Sequence, residues 1–425
     1  MSELLQEKIL PKLMKISSNK TLNALRNGIV IISPFTIIGS IFLIIGNFPI
    51  LGWSDIIEPY LPQLDAAVNV TFGLLGLLSV IGISYYMAKE LGVNEISNIA
   101  ISVVCFLLAT MSDELQIDPG SLDASGMFTG ILIVVLVSRL HLLCVSKNLV
   151  IKLPGGVPPA VFESFASLIP GFISLLCVWI LRVGLSVNIN EIVQWVFQPL
   201  VFGLNSLPGM LVYTILALLL WGVGIHGDNV LSPVSSPIFV SLMAANAKAF
   251  QLGQPIPNEI TGGMFTIFMC IGGTGATLGL VINMMKAKSK MYRSLGKVSI
   301  LPSIFGINEP VIFGVPIVLN PIMLIPFVLT PVVLFVVTYF LMHFGIIGKI
   351  VVDVPWTLPP IVSHFLSTNG NFGAVIWGII SVLLSIGIYY PFFKKVDLEQ
   401  YAKEQLEEQQ TISEEISSAE ELTIG

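Results

Sequence analysis

The stretch SIFGINEPVIFGVPIVLNPIMLIPFVLTP, residues 303–331, contains a single ionisable side chain, Glu309, in an otherwise strongly apolar run. Its five prolines remove backbone donors and interrupt helices. A charged residue at the centre of a membrane helix costs about 2.5–3.5 kcal/mol on insertion scales, so it usually persists for a function. We therefore interpret Glu309, with the amide of Asn308 beside it, as lining a polar cavity at membrane depth.

The composition of the whole chain predicts a polytopic membrane protein. Of its 425 residues, 54% are hydrophobic and only 11% are charged, and the mean hydropathy is +0.89. A soluble domain carries about 25% charged residues. The first twenty residues interleave leucine and isoleucine with lysine, a pattern typical of an interfacial amphipathic helix that is retained rather than cleaved.

Helix lengths lead to an all-α membrane fold. A hydrocarbon core of about 30 Å requires roughly 20 apolar residues per helix, and about ten stretches meet or approach this length. They are residues 23–46, 68–88, 96–111, 126–145, 166–187, 208–226, 231–250, 262–285, 318–344 and 372–393.

Charge alternates between the connections. The loops 47–67 and 112–125 carry acidic residues without Lys or Arg, whereas basic residues cluster near the N-terminus, in 286–297 and after the last span. By the positive-inside rule, the two acidic loops face outward and both termini face the cytoplasm. The exceptions at outer ends of spans are Arg182, Lys248 and Lys349.

Three stretches of the second half are too rich in proline and glycine for continuous helices: 224–239, 301–321 and 352–373. Backbone groups freed in this way must be enclosed by protein or line a wet cavity, so we expect re-entrant or broken-helix elements around a site. Residues 188–207 are expected to form an amphipathic linker along the outer surface. The acidic tail, residues 397–425, is expected to be solvated or weakly helical.

Each polar residue of these elements also has a purely structural interpretation. In this interpretation, Glu309 forms an ion pair with a lysine at the cytoplasmic boundary. His226 and Asp228 mark the end of one helix, and Asp228 caps the start of the next. Trp221 and Trp356 fit the interfacial aromatic belt. Taken together, however, a carboxylate, an imidazole, an amide and indole rings suit a neutral polyhydroxylated ligand.

Motifs of other protein classes are missing from the sequence. It contains no GxxxxGK[ST] or HExxH, so nucleotide hydrolysis and zinc proteolysis have no support. The four cysteines lack CxxC spacing, and neither a disulfide framework nor a zinc site is indicated. The glycine-rich GGTGATLGL, residues 272–280, is interpreted as small residues at helical contacts. We expect no cofactor, no metal and no nucleic-acid partner.

Five stretches together resemble the enzyme IIC component, or permease, of the bacterial phosphoenolpyruvate-dependent sugar phosphotransferase system. Within it they are similar to the lactose, cellobiose and diacetylchitobiose family. The stretches occur in order over almost the whole chain. They are GVPPAVFESFASLIPG (156–171), GIHGDNVLSPVSSPI (224–238), GGTGATLGL (272–280), FGINEPVIFGVPIVLNP (305–321) and PWTLPPIVSHFL (355–366).

The resemblance implies an N-terminal dimerisation domain, residues 1–187, and a transport domain, residues 208–396, that binds one β-linked disaccharide. It further implies that Glu309 and His226 contact the hydroxyl that is phosphorylated. The expected substrate-binding residues are Asn308, Trp356, Trp221, Asp228, Asn229 and Thr357.

The predicted protein is a homodimeric subunit in the bacterial cytoplasmic membrane that is not catalytic alone. It carries a disaccharide inward and presents it to the phosphocysteine of a separate IIB protein, which IIA supplies. Two alternatives stay open: a proton- or cation-coupled sugar symporter with Glu309 and His226 as a relay, and a membrane scaffold or receptor. Departures from the family pattern at His364 and in residues 367–373 leave the disaccharide unidentified, and the departure at Glu163 is expected to alter contact with a cytoplasmic partner.

Overall fold

The computed structural model describes residues 19–48, 52–151, 163, 165–315, 317–318 and 320–424, with side chains up to residue 410. Throughout these ranges the chain is helical and contains no strand, which confirms the predicted all-α class. The predicted N-terminal amphipathic helix and most of the stretch 156–171 lie outside the described residues.

Two compact units are formed by the chain. The first comprises Met1–Met210, Asp228–Gly262 and Ile350–Asp353, and the second comprises Leu211–Gly227, Gly263–Lys349 and Val354–Gly425. The predicted roles of residues 1–187 in dimerisation and of 208–396 in transport stay predictions.

In the described part of the chain, eleven α-helices, α1 to α11, begin before residue 228. They are α1 Lys20–Val30, α2 Ser33–Gly46, α3 Trp53–Ile57, α4 Leu61–Phe72, α5 Leu75–Leu91, α6 Glu95–Ala109, α7 Met127–Ser146, α8 Leu168–Trp179, α9 Ile189–Leu204, α10 Leu207–Gly222 and α11 Gly227–Gln251. A π turn, Ile180–Gly184, extends α8.

Six further helices follow in the described part of the chain. They are α12 Leu278–Met284, α13 Lys290–Ile304, α14 Glu309–Gly314, α15 Pro321–His343, α16 Pro360–Ser367 and α17 Phe372–Ile424. A π turn, Met264–Met269, precedes α12.

The expected spans fall into three groups in the structure. Six helical stretches in the described ranges are long and apolar enough to cross a membrane: Lys20–Gly46, Trp53–Leu91, Ala124–Ser146, Gly227–Gln251, Pro321–His343 and Phe372–Gln410. A seventh candidate is the pair Leu168–Gly184 and Ile189–Leu204, bent by 91°. The other expected spans are the shorter α6 and α10 and the segment 262–285, which is divided between a π turn, glycine-rich turns and α12.

Helix α9 coincides with the predicted linker. Asn188 caps its first turn, because the Asn188 Oδ1 accepts the N–H of Glu191 at 3.1 Å. Val193 is its one buried residue, and Trp195 and Phe202 are exposed. A short helix with exposed aromatic side chains at 91° to its predecessor has the properties of an interfacial helix.

A buried polar network joins α5, α6 and α7 in the first unit. The Asn98 amide donates to the Ser84 carbonyl at 3.0 Å, to the Ser84 hydroxyl at 3.0 Å and to the Ser138 hydroxyl at 2.9 Å. The Ser84 hydroxyl in turn donates to that of Ser102 at 3.1 Å, and His141 Nδ1 lies 3.3 Å from Asn98 Oδ1. Hydrogen bonds across helices fix their register where the hydrophobic effect contributes little.

Arg182, an exception to the charge rule, has a structural explanation. It is buried, and its Nη2 donates to the carbonyls of Met111 and Ser112, both at 2.8 Å. It also forms an ion pair with Asp113 at 3.0 Å. The guanidinium thus binds carbonyls of the segment that follows α6.

The acidic tail, expected to be solvated or weakly helical, is helical, and its residues 406–410 are exposed. It continues α17, and its carboxylates bind the turn before α13. Asp397 accepts the N–H groups of Lys288 at 2.8 Å and Ser289 at 2.9 Å. Glu404 accepts the Ser289 hydroxyl at 2.6 Å and the N–H groups of Lys290 and Met291 at 2.8 and 3.1 Å. Local charge density favours solvation, but the free N–H groups and positive dipole end of α13 bind these carboxylates.

The tail contact predicts a stability difference. Asp397→Ala should lower the free energy of unfolding by about 1–3 kcal/mol, because two backbone N–H groups lose a charged acceptor. Glu399→Ala, an exposed position on the same helix, is the control and should have little effect. Thermal unfolding in detergent measures both, and equal midpoints for the two variants would contradict the contact.

The charge alternation predicts which loops impermeant reagents reach. In a cysteine-free background, Ser54→Cys and Glu114→Cys should react with an impermeant thiol reagent added to intact cells, and Ser294→Cys should react only after permeabilisation. All three positions are exposed, so burial does not limit the reaction. Labelling of Ser294→Cys in intact cells would reverse the predicted orientation.

Candidate functional site

The segment around Glu309 folds as a turn followed by a short helix. Gly306 adopts a φ of +79°, which favours glycine, and α14 begins at Glu309 with Pro310 in its first turn. Proline is suited to this position because the N–H there has no intrahelical partner. The Glu309 side chain is exposed and lies at the N-terminus of α14. A carboxylate is therefore available to a ligand.

Asn308 anchors this turn to the glycine-rich segment. Its side chain is 4% exposed, and the Nδ2 atom donates to the Thr274 carbonyl at 2.7 Å and to the Thr277 Oγ1 at 2.8 Å. The Thr277 hydroxyl donates to the Gly272 carbonyl at 2.9 Å. The two donors of the amide are thus both used within the protein, so Asn308 positions Glu309 rather than donating to a ligand.

The interpretation of residues 272–280 as small residues at helical contacts fits Gly279, where a Cβ would lie 2.3 Å from the backbone nitrogen of Ile386 on α17, but it does not fit the residues before α12. Residues 271–277 form turns, and Gly272, Gly273 and Gly275 have φ values of +75°, +101° and +85°. A Cβ on Gly273 would lie 2.4 Å from the Asn308 Cγ. These glycines are needed for a left-handed backbone and for close approach to the Asn308 amide. Sequence reasoning missed their role because spacing alone does not show which side chain approaches them.

Trp356 lies against the same turn. A Cβ on Gly306 would be 3.1 Å from the Trp356 carbonyl oxygen and 3.3 Å from its ring. The indole is 57% exposed. An open aromatic face next to an open carboxylate is a common arrangement for binding a sugar ring, whose C–H groups pack on the aromatic surface while its hydroxyls find acceptors. Thr357 follows Trp356 and is half-buried.

His226 and Trp221 form a second pair in this unit. Their ring centroids are 4.4 Å apart at 46°, with His226 exposed and Trp221 7% exposed. The Trp221 Nε1 is buried without a hydrogen-bond partner among the described residues. Trp221 packs in the same hydrophobic core as Val311 and Ile312, which follow Glu309. Trp221, His226, Asn308, Glu309, Trp356 and Thr357 thus all belong to the second unit, and Trp221 shares a core with the residues that follow Glu309.

Asp228 and Asn229 belong to the first unit. Both lie in the first turn of α11, the position expected for a capping residue. The Asp228 Oδ1 is buried and has no hydrogen-bond partner in the described part of the chain, whereas Asn229 is exposed. Their predicted contact with substrate stays a prediction.

The residues that depart from the family pattern have structural roles. His364 is fully buried, with its Nδ1 2.5 Å from the Pro360 carbonyl and its ring 4.3 Å from that of Phe268. Asn371 caps α17 by accepting the N–H of Ala374 at 3.0 Å. Glu163 accepts the Asn94 amide at 2.6 Å. None of these contacts involves Glu309.

Within the described residues, the protein is an all-helical membrane protein whose second unit carries an exposed indole and an exposed carboxylate. The sequence model of the family described as "Phosphotransferase system, EIIC" matches residues 26–331. The chain therefore belongs to this family.

Individual relatives support the same assignment. The chain is 39% identical to the lichenan permease IIC component of Bacillus subtilis (strain 168) and 38% identical to the cellobiose-specific EIIC component of Geobacillus stearothermophilus, each over 95% of both chains. The solved structure of the transporter ChbC, the IIC component from the N,N'-diacetylchitobiose-specific phosphotransferase system, is similar with a TM-score of 0.90 and 38% identity. The match covers 95% of this chain and 99% of that one.

The anchoring role of Asn308 predicts a loss of stability without substrate. Asn308→Asp replaces the amide donor by an oxygen that faces the Thr274 carbonyl, and should lower the free energy of unfolding by about 1–3 kcal/mol. The exposed Gln63→Glu, which makes the same amide-to-carboxylate change, is the control. Thermal unfolding of the sugar-free protein measures both variants. A residue that only binds sugar would leave this midpoint unchanged.

Proposed function

We propose that this chain translocates a β-linked disaccharide of the cellobiose, diacetylchitobiose or lactose class and presents it for phosphorylation by a separate IIB protein. The observation that carries the proposal is the exposed Trp356 ring beside the turn that presents the exposed Glu309 carboxylate. Family membership and the names of the relatives support the substrate class.

The proposed chemistry assigns a distinct task to each group. The Glu309 carboxylate accepts a hydrogen bond from the attacking sugar hydroxyl and takes its proton as the phosphorus–oxygen bond forms. The phosphorus–sulfur bond to the cysteine of IIB breaks in the same transfer. General-base assistance of this kind contributes about 10²–10⁴ in rate. His226 contacts the same hydroxyl, and Trp356 stacks on the sugar ring.

The finer parts of the proposal concern assembly and orientation. Residues 1–187 form the dimer contact, residues 208–396 carry the sugar, and both termini face the cytoplasm. IIB then approaches from the cytoplasmic side, where the basic stretch 286–297 lies. IIA supplies the phosphoryl group to IIB.

The test separates binding from chemistry at one residue. Glu309→Gln keeps the size and one acceptor oxygen of the side chain but loses its basicity. Disaccharide binding should weaken by no more than one hydrogen bond to a charged group, about 1.5–3 kcal/mol. Sugar phosphate formation with IIB should fall about 10²–10⁴-fold. Calorimetry and phosphorylation in vesicles measure the two quantities.

Glu399→Gln, an exposed carboxylate on α17, serves as the matched control and should behave like the wild type. Phosphorylation by Glu309→Gln within a factor of two of wild type would remove the role assigned to Glu309. Accumulation of unmodified sugar without IIB, lost in Glu309→Gln, would instead identify a proton-coupled symporter.

A further inference from the structure

The first unit contains a polar cavity that the proposed mechanism does not use. Its volume is about 570 Å³, within the usual range of small-molecule sites. Helix α4, the turn 123–125 and the C-terminal end of α11 form its walls. Its polar lining side chains include Asp65, Asn69, Asp123, Ser125, Lys248 and Gln251.

The three walls come from segments that the charge rule independently places on the outer side. Asp65 belongs to the acidic loop 47–67, and Asp123 belongs to the acidic loop 112–125. Lys248 is an exception at an outer end of a span. Lys248 lines the same cavity as the carboxylates of Asp65 and Asp123, and this accounts for a basic residue at the outer end of a span. Under the proposed topology, the cavity therefore opens to the outside.

The lining groups offer both donors and acceptors. The Gln251 Nε2 donates to the Asp65 Oδ1 at 2.9 Å, and the Asp123 Oδ1 accepts the N–H of Ser125 at 2.7 Å, so the walls are held by their own contacts. In the described ranges, Lys248 is exposed and has no carboxylate within 4.0 Å. Its ammonium group is available to a ligand, and Asn69 is an exposed position on the cavity wall.

Apart from Ser241, the remaining lining is apolar or glycine. Val68, Phe72 and Ala247 are buried residues on the cavity wall. Two carboxylates near one ammonium group favour a neutral ligand with many hydroxyls over a free anion, and the ammonium opposes a metal cation. An apolar wall with a phenyl ring gives the C–H face of a sugar a surface to contact.

We propose that this cavity is an external reception site for the disaccharide, separate from the site at Glu309. This inference rests on the proposed function. It adds a second sugar contact built from the first unit alone. A sugar held there is concentrated at the outer side before it reaches the second unit.

Protection from chemical labelling tests the site directly. In a cysteine-free background, Asn69→Cys should react with an impermeant thiol reagent from outside, and cellobiose, lactose or N,N'-diacetylchitobiose should slow the reaction several-fold. Gln63→Cys is the matched control, since residue 63 is exposed on the same helix α4 and does not line the cavity. Its labelling rate should not change with sugar.

A second background separates direct from indirect protection. The double variant His226→Ala, Trp356→Ala removes two groups of the Glu309 site, and calorimetry checks that disaccharide binding at that site is lost. In this double variant, disaccharide should still protect Asn69→Cys from labelling. Protection that disappears with that binding would be indirect and would overturn the inference.

Two further results would also overturn it. The first is that disaccharide does not protect Asn69→Cys, although the protein still binds the disaccharide and yields sugar phosphate with IIB. This result would leave the proposed function intact. The second is Asn69→Cys that fails to react even without sugar, because a closed or covered cavity cannot receive one. Absence of both disaccharide binding and phosphorylation in the unmodified protein would refute the proposed function together with the inference.

Discussion

The hydrogen bonds of the Asn308 amide are the constraint on which the candidate site depends. Glu309 stands on a turn that no continuous helix supports, and the glycine-rich turns that face it have left-handed backbone. The amide joins the two by donating to Thr274 and Thr277. Irregular backbone at membrane depth is tolerated only where such internal partners exist. With these bonds in place, the Asn308 side chain is buried and the Glu309 carboxylate is exposed.

Charged groups elsewhere in the protein follow a related rule. Arg182 is buried where it binds backbone carbonyls after α6, and Asp397 and Glu404 bind the free N–H groups at the start of α13. The tail carboxylates complete the hydrogen bonds at the start of a helix, and Arg182 binds carbonyls of the segment that follows one. Lys248 is different, because it stands exposed in a polar cavity.

Much of the fold was predictable, since apolar length and charge alternation are local properties. Six of the expected spans appear as long apolar helices, and others are shorter or bent. Local pattern was insufficient where tertiary contacts decide the detail. The turns at residues 271–277 and the contacts of Asp397 and Glu404 were not predicted, because neither the Asn308 amide nor the N-terminus of α13 is near them in sequence.

The sequence by itself determined the all-α membrane class, the family, and the candidate residues Glu309, Asn308, His226 and Trp356, because rare polar and aromatic residues in apolar, proline-rich segments are visible without coordinates. Only the tertiary structure decided that Asn308 is an anchor, that the Trp356 ring lies against Gly306, and that His364 is packed in the interior. Whether a polar side chain contacts a ligand or the protein depends on which backbone groups, distant in sequence, lie beside it in the fold. Spacing along the chain does not show this.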